Sequence, residues 1–119
     1  MKKFAVILLA LAFVSCGKSD ETPPVVNIIT PTDHQAFTNG ETVNVKAEIS
    51  DETGIHMVHL VIVDNNGIHV DHFEEHLDAK TYTLNRSFPA QTGKTYTITA
   101  GGTDHADNTT EKTVQVTTN

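Results

Sequence analysis

Tryptophan is absent from the 119 residues, and cysteine occurs once, as Cys16. The Cys–Trp–Cys core of antibody domains is therefore excluded, and no disulfide can form within the chain. Basic side chains are also few, eight against fifteen acidic ones, which gives a formal net charge of −7. So acidic a chain is repelled by nucleic acid and by anionic lipid headgroups, and we expect neither as a direct partner.

Long hydrophobic runs are missing except for one, at residues 4–14. It follows Lys2 and Lys3, and its eleven apolar residues are too few to span a bilayer but typical of a secretory signal. We therefore predict a signal peptide over residues 1–16. Its removal leaves six basic side chains against fifteen acidic ones, a net charge of −9. What remains is about a hundred residues, enough for one small domain.

The single cysteine stands between Ser15 and Gly17, directly after this run, where a small-residue cleavage site would otherwise lie. The arrangement resembles a bacterial lipoprotein signal, although Phe13 occupies a position where leucine is usual. The resemblance implies that Cys16 is lipidated and that the lipid holds the protein on a membrane, with its domain outside the cytoplasm.

Residues 17–24 are polar and end in two prolines, which predicts a flexible tether that stiffens into extended chain. Within the tether, residues 18–21 are similar to the acidic tracts that send some lipoproteins to the cell surface. We therefore expect an outer-membrane or cell-surface location.

From residue 25 onward, apolar and polar side chains alternate with a period of two, and Gly, Asn, Asp and Pro separate the runs. The predicted inward positions are, strand by strand, Val26 and Ile28; Val43, Val45, Ala47 and Ile49; Val58, Leu60 and Ile62; Ile68 and Val70; Tyr82, Leu84 and Phe88; Tyr96, Ile98 and Ala100; and Val114 and Val116. This pattern predicts an all-β fold over residues 25–119, a seven-stranded antiparallel Ig-like (fibronectin-III-like) β-sandwich.

The segments between these strands predict specific local structures. We expect a loop at residues 50–54, a hairpin turn at 64–67 and a loop at 104–108. Tyr96, shortly after a glycine turn, stands where such sandwiches often have a tyrosine corner. Periodicity fades over residues 72–80, where a short helical turn would also fit.

Several stretches of the chain resemble bacterial Ig-like domains. They are Pro24-Val25-Val26-Asn27-Ile28 with Pro31, Gly40-Glu41-Thr42-Val43, Ser50-Asp51-Glu52-Thr53-Gly54-Ile55 and Thr103-Asp104-His105-Ala106-Asp107-Asn108. The histidine-bearing segments 56–59 and 69–76 are similar to lipoproteins of the domain of unknown function 4625 type. The resemblance implies an Ig-like fold and an anchored protein outside the cytoplasm, and brings no activity with it.

Six of the seven histidines lie between residues 56 and 105. In a seven-stranded sandwich, the start of the third strand, the end of the fourth and the loop between the last two strands occupy the same end. Histidines from three separate segments should therefore converge on one pole of the domain, whereas His34 and His69 should lie elsewhere. The five convergent histidines are His56, His59, His72, His76 and His105.

The hairpin at residues 64–67 predicts how close two of these rings come. A three-residue turn would make Asp64 oppose Ile68 and Leu60 oppose His72, with His59 adjacent. A two-residue turn would put His59 directly across from His72. Either register leaves the imidazoles within reach of a shared metal ion.

Neutral imidazoles suit Zn²⁺ or Cu²⁺, and we predict such a site at this pole. Nearby carboxylates could act as ligands or as hydrogen-bond acceptors for the imidazoles. The candidates are Asp71, Glu74, Glu75 and Asp104. A competing hypothesis is a Ca²⁺ site, because hard oxygen ligands face each other in two loops of the same pole. Its ligands would be Asp51, Glu52, Asp104 and Asp107, with Asn108.

An enzyme is not predicted, because the chain has no nucleophile elbow, phosphate loop or nucleotide fingerprint. Two classes of function remain open. One is a metal-binding module, and the other is an adhesion or assembly module that presents loops or edge strands to an envelope protein or a glycan.

Overall fold

The computed structural model describes residues 21–119, so the predicted signal peptide, Cys16 and residues 17–20 of the predicted tether lie outside the described residues. Six β-strands follow one another within residues 21–119. They are β1 (Val25–Thr30), β2 (Ala36–Phe37), β3 (Thr42–Asp64), β4 (His69–Pro89), β5 (Thr95–Asp104) and β6 (Thr109–Thr118). Within residues 21–119, no helix is long and apolar enough to cross a membrane.

Two long strands, β3 and β4, each contribute to both layers of a sandwich. The first half of β3 pairs with β1 and with the second half of β4, residues 81–89. The second half of β3 pairs with the first half of β4, residues 69–79, and with β5, which in turn pairs with β6. The short β2 lies parallel to β6. The predicted Ig-like β-sandwich is confirmed.

Two predicted breaks lie inside continuous strands, which reduces the predicted seven strands to five, and the short strand β2, which was not predicted, brings the count to six. Residues 50–54 form an irregular segment within β3, where the register with β4 shifts between Ser50 and Ile55. The Asp51 carboxylate accepts hydrogen bonds there from the backbone N–H groups of Thr53 and Gly54, and Gly54 adopts φ +123°. The chain thereby passes from one layer to the other without leaving the strand conformation. Residues 72–80 are also extended, so the helical alternative was wrong.

The core lies between the layers and consists of the inward positions of both halves of β3 and of their partners. Val43, Val45, Ala47 and Ile49 are buried in one layer, and Val58, Leu60 and Ile62 face them from the other. Alternation with a period of two places these side chains on one face of each strand.

Tyr96 is buried, and its hydroxyl accepts a hydrogen bond from the backbone N–H of Gln91 at 3.1 Å. Its ring meets that of Phe88 edge-on, with centroids 4.7 Å apart. The predicted tyrosine corner is therefore present.

The side of the sandwich where β4 passes between the layers is closed by polar and aromatic side chains. Arg86, in the second half of β4, forms a bidentate ion pair with Asp71 in the first half, both bonds being 2.8 Å. The guanidinium also stacks over the Phe73 ring at 5.0 Å. This ion pair lowers the pKa of Asp71 and raises that of Arg86. The two halves of β4 are thus joined across the gap.

Candidate metal centre

The outer face of the four-stranded layer carries most of the predicted site. Val58, Leu60 and Ile62 point into the core, so His59 points outward, as predicted. Its direct partners are Glu74 on β4 and Gly101 on β5. Residues paired directly across an antiparallel ladder share a face, which puts His59 and Glu74 on the outer face together.

His72 lies opposite Val61, so the register predicted from a three-residue turn was wrong by one position and that from a two-residue turn by two. The turn itself closes as in the three-residue prediction, since the Asp64 N–H donates to the Ile68 carbonyl at 2.9 Å. The register then shifts between Ile62 and Val63, which inserts one extra residue, Val70, on β4. This bulge moves every later residue of β4 by one position along its partner.

The His59 ring turns away from β4 and lies across β5. Its Nε2 is 3.0 Å from an Oε1 atom of Glu111 on β6, and the side chain is only 14% exposed. The ring passes over Gly101, where an added Cβ would come within 2.3 Å of it. His59 therefore bridges β3 and β6 over a glycine, and its ring is directed away from the other predicted ligands.

Three other histidines converge at the predicted pole: His56 in β3, His76 in β4 and His105 in the β5–β6 loop. The His56 ring centroid is 5.4 Å from that of His76 and 5.1 Å from that of His105. Two imidazoles bound to one tetrahedral zinc ion have centroids about 5 Å apart, given Zn–N bonds of about 2 Å. All three residues are exposed, so the cluster is accessible from solvent.

In the two rings that flank His56, those of His76 and His105, one nitrogen lies within hydrogen-bond distance of a carboxylate. The Nε2 of His76 is 3.2 Å from Glu74, and the Nε2 of His105 is 3.1 Å from Asp78. The His105 ring also lies against Gly54, where an added Cβ would be 3.2 Å from its Cδ2 atom. The glycine of the irregular segment thus leaves room for the ring beside Asp78.

The structure therefore brings together three of the five predicted metal ligands and separates two. His56, His76 and His105 cluster, whereas His59 bonds Glu111 and His72 lies 6.3 Å, between ring centroids, from His69. In the part of the chain from 21 to 119, no three His, Cys, Asp or Glu side chains are already arranged to hold a metal ion. The clustered rings would have to turn to bind one.

The predicted carboxylate acceptors have different partners in the structure. Glu74 contacts His76, but Asp71 pairs with Arg86, and Glu75 accepts a hydrogen bond from the Tyr82 hydroxyl. Asp78, which bonds His105, was missed by sequence reasoning. Its position depends on a register shift within residues 76–79 that no local sequence signal announces.

The residues of the calcium hypothesis are engaged in their own loops. The carboxylate of Asp104, fully buried, accepts hydrogen bonds from the backbone N–H groups of Ala106 and Asn108 and from the Asn108 side chain. Asp51 caps its own irregular segment in the same way. Asp51 and Glu52 share a groove with Lys80, whose positive charge opposes cation binding there, and Asp107 is exposed at φ 64°. These hydrogen bonds account for the positions of Asp51 and Asp104 without a metal ion.

Two known structures, from different kinds of protein, are similar to this architecture. The fibronectin(III)-like modules of Clostridium thermocellum CbhA match with a TM-score of 0.53 and 18% identity, covering 79% of this chain and 94% of that chain. The CARDB domain of a Pyrococcus furiosus protein, solved in complex with di-metal ions, matches with a TM-score of 0.56 and 13% identity, covering 81% and 87%. At these identities the likeness extends to the fold alone.

No curated protein matches the chain significantly. The family profile described as "Bacterial Ig domain" matches residues 24–100, which include β1 to β4 and the first part of β5. Bacterial Ig domains are typically extracellular or displayed at the surface, and Ig-like domains are generally non-catalytic. The chain belongs to the bacterial Ig domain family.

Proposed function

We propose that this chain is a lipid-tethered Ig-like module that binds a divalent transition metal, Zn²⁺ or Cu²⁺, through His56, His76 and His105. The observation that carries the proposal is the spacing of the three rings, with His56 at 5.1 and 5.4 Å from the other two. The lipid tether is inferred from Cys16, which follows the apolar run at residues 4–14, and from the resemblance to lipoproteins of the domain of unknown function 4625 type.

The hydrogen bonds of the outer rings support this ligand set. A metal-bound histidine usually donates its second ring N–H to a carboxylate, which fixes the tautomer and the orientation of the ring. His76 and His105 have such carboxylates, Glu74 and Asp78, at their Nε2 atoms. Their Nδ1 atoms remain available for a metal. Because all three rings are exposed, small rotations about their side-chain bonds meet little steric resistance.

The two carboxylates also make the cluster electrostatically favourable for a cation. Three neutral imidazoles leave the charge of a divalent ion uncompensated, and Glu74 and Asp78 supply two negative charges beside the ring nitrogens. The CARDB domain that shares this fold was solved with di-metal ions, so metal binding has a precedent among sandwiches of this architecture.

Calorimetry on tag-free protein tests the proposal. Replacing His56, His76 and His105 together with alanine should abolish Zn²⁺ and Cu²⁺ binding, whereas the double variant of His59 and His72 should retain most of it. Affinity should also fall as the pH is lowered, because protons compete with the metal ion for the imidazole nitrogens. Failure of the wild type to bind either metal more tightly than roughly 100 μM would rule the proposal out.

The calcium alternative gives a different result in the same assay. Ca²⁺ binding would be lost on replacing Asp51 and Asp104 and would depend less on pH than binding by imidazole does. That outcome would move the site from the histidine cluster to the two loops.

The second candidate is an adhesion or assembly module for an envelope protein or a glycan, and the open edge of β4 favours it. Among the described residues, both halves of β4 pair only with β3, so β4 is the edge strand of both layers. An extended segment of a partner could add to such an edge. This candidate would be favoured if protein purified without a tag contains no metal and calorimetry detects no binding of Zn²⁺ or Cu²⁺.

A further inference from the structure

The residue directly opposite His76 is Met57, and this pairing bears on which metal the cluster would select. Met57 pairs with His76 on β4 and with Thr103 on β5. Directly paired residues on one face of an antiparallel ladder have Cβ atoms about 5 Å apart. The side chains of Met57 and His76 therefore leave the sheet side by side on its outer face.

The burial of Met57 distinguishes it from the surrounding histidines. Met57 is half-buried, whereas His56 and His76 are exposed. The register shift between Ile55 and Met57 breaks the strict alternation of β3 at this point. His56 consequently reaches both His76 and His105 although it is the chain neighbour of Met57. An apolar, sulfur-bearing residue thus pairs directly with one member of the exposed cluster and is itself less exposed.

The nearby oxygen donors have other partners. Glu74 and Asp78 contact the Nε2 atoms of His76 and His105, and Glu75 accepts the hydrogen bond of Tyr82. Thr103, on the other side of Met57, bonds to the hydroxyl of Thr109. A fourth ligand from the same row would therefore be the sulfur atom of Met57.

We infer that Met57 is the fourth ligand of the histidine cluster and that its sulfur makes the site prefer copper, as Cu(I) as well as Cu²⁺, over zinc. This inference rests on the proposed function. A thioether is a soft, uncharged ligand that suits Cu(I), whereas Zn²⁺ takes nitrogen, oxygen or thiolate ligands.

The substitution Met57→Leu tests the inference, because leucine has similar volume and hydrophobicity but no sulfur. Cu(I) affinity would be measured by anaerobic competition with a chromophoric Cu(I) chelator, and Zn²⁺ affinity by calorimetry, on tag-free protein. We expect Cu(I) binding to weaken on the order of tenfold or more, with Zn²⁺ binding unchanged. The variant Val61→Leu, four residues further along β3 on the same face, is the matched control and should change neither affinity.

Each other outcome has a separate meaning. Equal Cu(I) affinities for the wild type and Met57→Leu would overturn the inference and leave the three-histidine site standing. Parallel losses of Cu(I) and Zn²⁺ affinity would also overturn it, because they would indicate a structural role for Met57. Absence of all metal binding in the wild type would overturn the proposed function itself. Circular dichroism of Met57→Leu checks that the fold is retained.

Discussion

The imidazole ring of His59 lies directly over Gly101, so that a methyl group at position 101 would come within 2.3 Å of the ring. The ring fills the space that any other residue would take and reaches Glu111 on the next strand. Three neighbouring strands are thereby connected on the outer face of the sheet. The glycine is required by this close approach rather than by an unusual backbone conformation.

Gly101→Ala should therefore destabilise the domain by about 1–3 kcal/mol, because the ring must move and its bond to Glu111 is lost. Denaturant unfolding measures the change. In a His59→Ala background the same substitution should lower the free energy of unfolding by less. The destabilisation that remains should reflect the close approach of the added Cβ to the Thr110 carbonyl oxygen, at 3.0 Å. An equal cost in both backgrounds would show that the ring is not what constrains position 101.

Tyr96→Phe should lower the free energy of unfolding by about 1 kcal/mol, because the buried hydroxyl accepts the backbone N–H of Gln91. Thermal and denaturant unfolding would both report the loss. The other tyrosine provides the control: Tyr82→Phe removes a bond to Glu75 at an exposed edge and should cost less. A larger loss for Tyr82→Phe would contradict the assignment of the tyrosine corner.

The ion pair between Asp71 and Arg86 should make stability depend on pH in the acid range. Because Arg86 lowers the pKa of Asp71, the ion pair stabilises the fold above the ordinary carboxyl pKa of about 4. This stabilisation should be lost as the pH falls through the lower pKa of the folded state. Denaturant unfolding of Asp71→Asn should lack that step.

Arg86→Lys is the matched variant for this ion pair, because it keeps the charge but cannot form the paired bonds. NMR titration of the Asp71 carboxyl should show its pKa nearer the ordinary value in this variant. An unchanged titration would mean that the bidentate geometry is not what lowers the pKa.

Cys16→Ala should release the protein from the membrane fraction, because the preceding run of eleven apolar residues is too short to anchor it. Fractionation followed by immunodetection measures the release. Ser15→Ala, which keeps the cysteine, should remain in the membrane fraction. Retention of Cys16→Ala there would identify the apolar segment itself as the anchor.

Sequence reasoning was most accurate where a local pattern has a single physical cause. Alternation along residues 43–49 and 58–62 predicted buried positions that are buried in the structure, because successive side chains of a strand point to opposite faces. Topology alone also predicted that His105 would meet histidines from two other segments. Three of the five predicted ligands are together for this reason.

The sequence by itself determined the β-sandwich, most of its core positions and the pole where histidines gather, since these follow from side-chain periodicity and strand order. Ile68 and Val70, which were expected to point inward, are exposed next to the hairpin turn. Only the tertiary structure decided which histidines are neighbours. The bulge at Val70 shifts His72 to Val61, and Gly101 admits the His59 ring. Both depend on pairing between distant strands, where one inserted residue changes every later partner and leaves no periodic trace in the sequence.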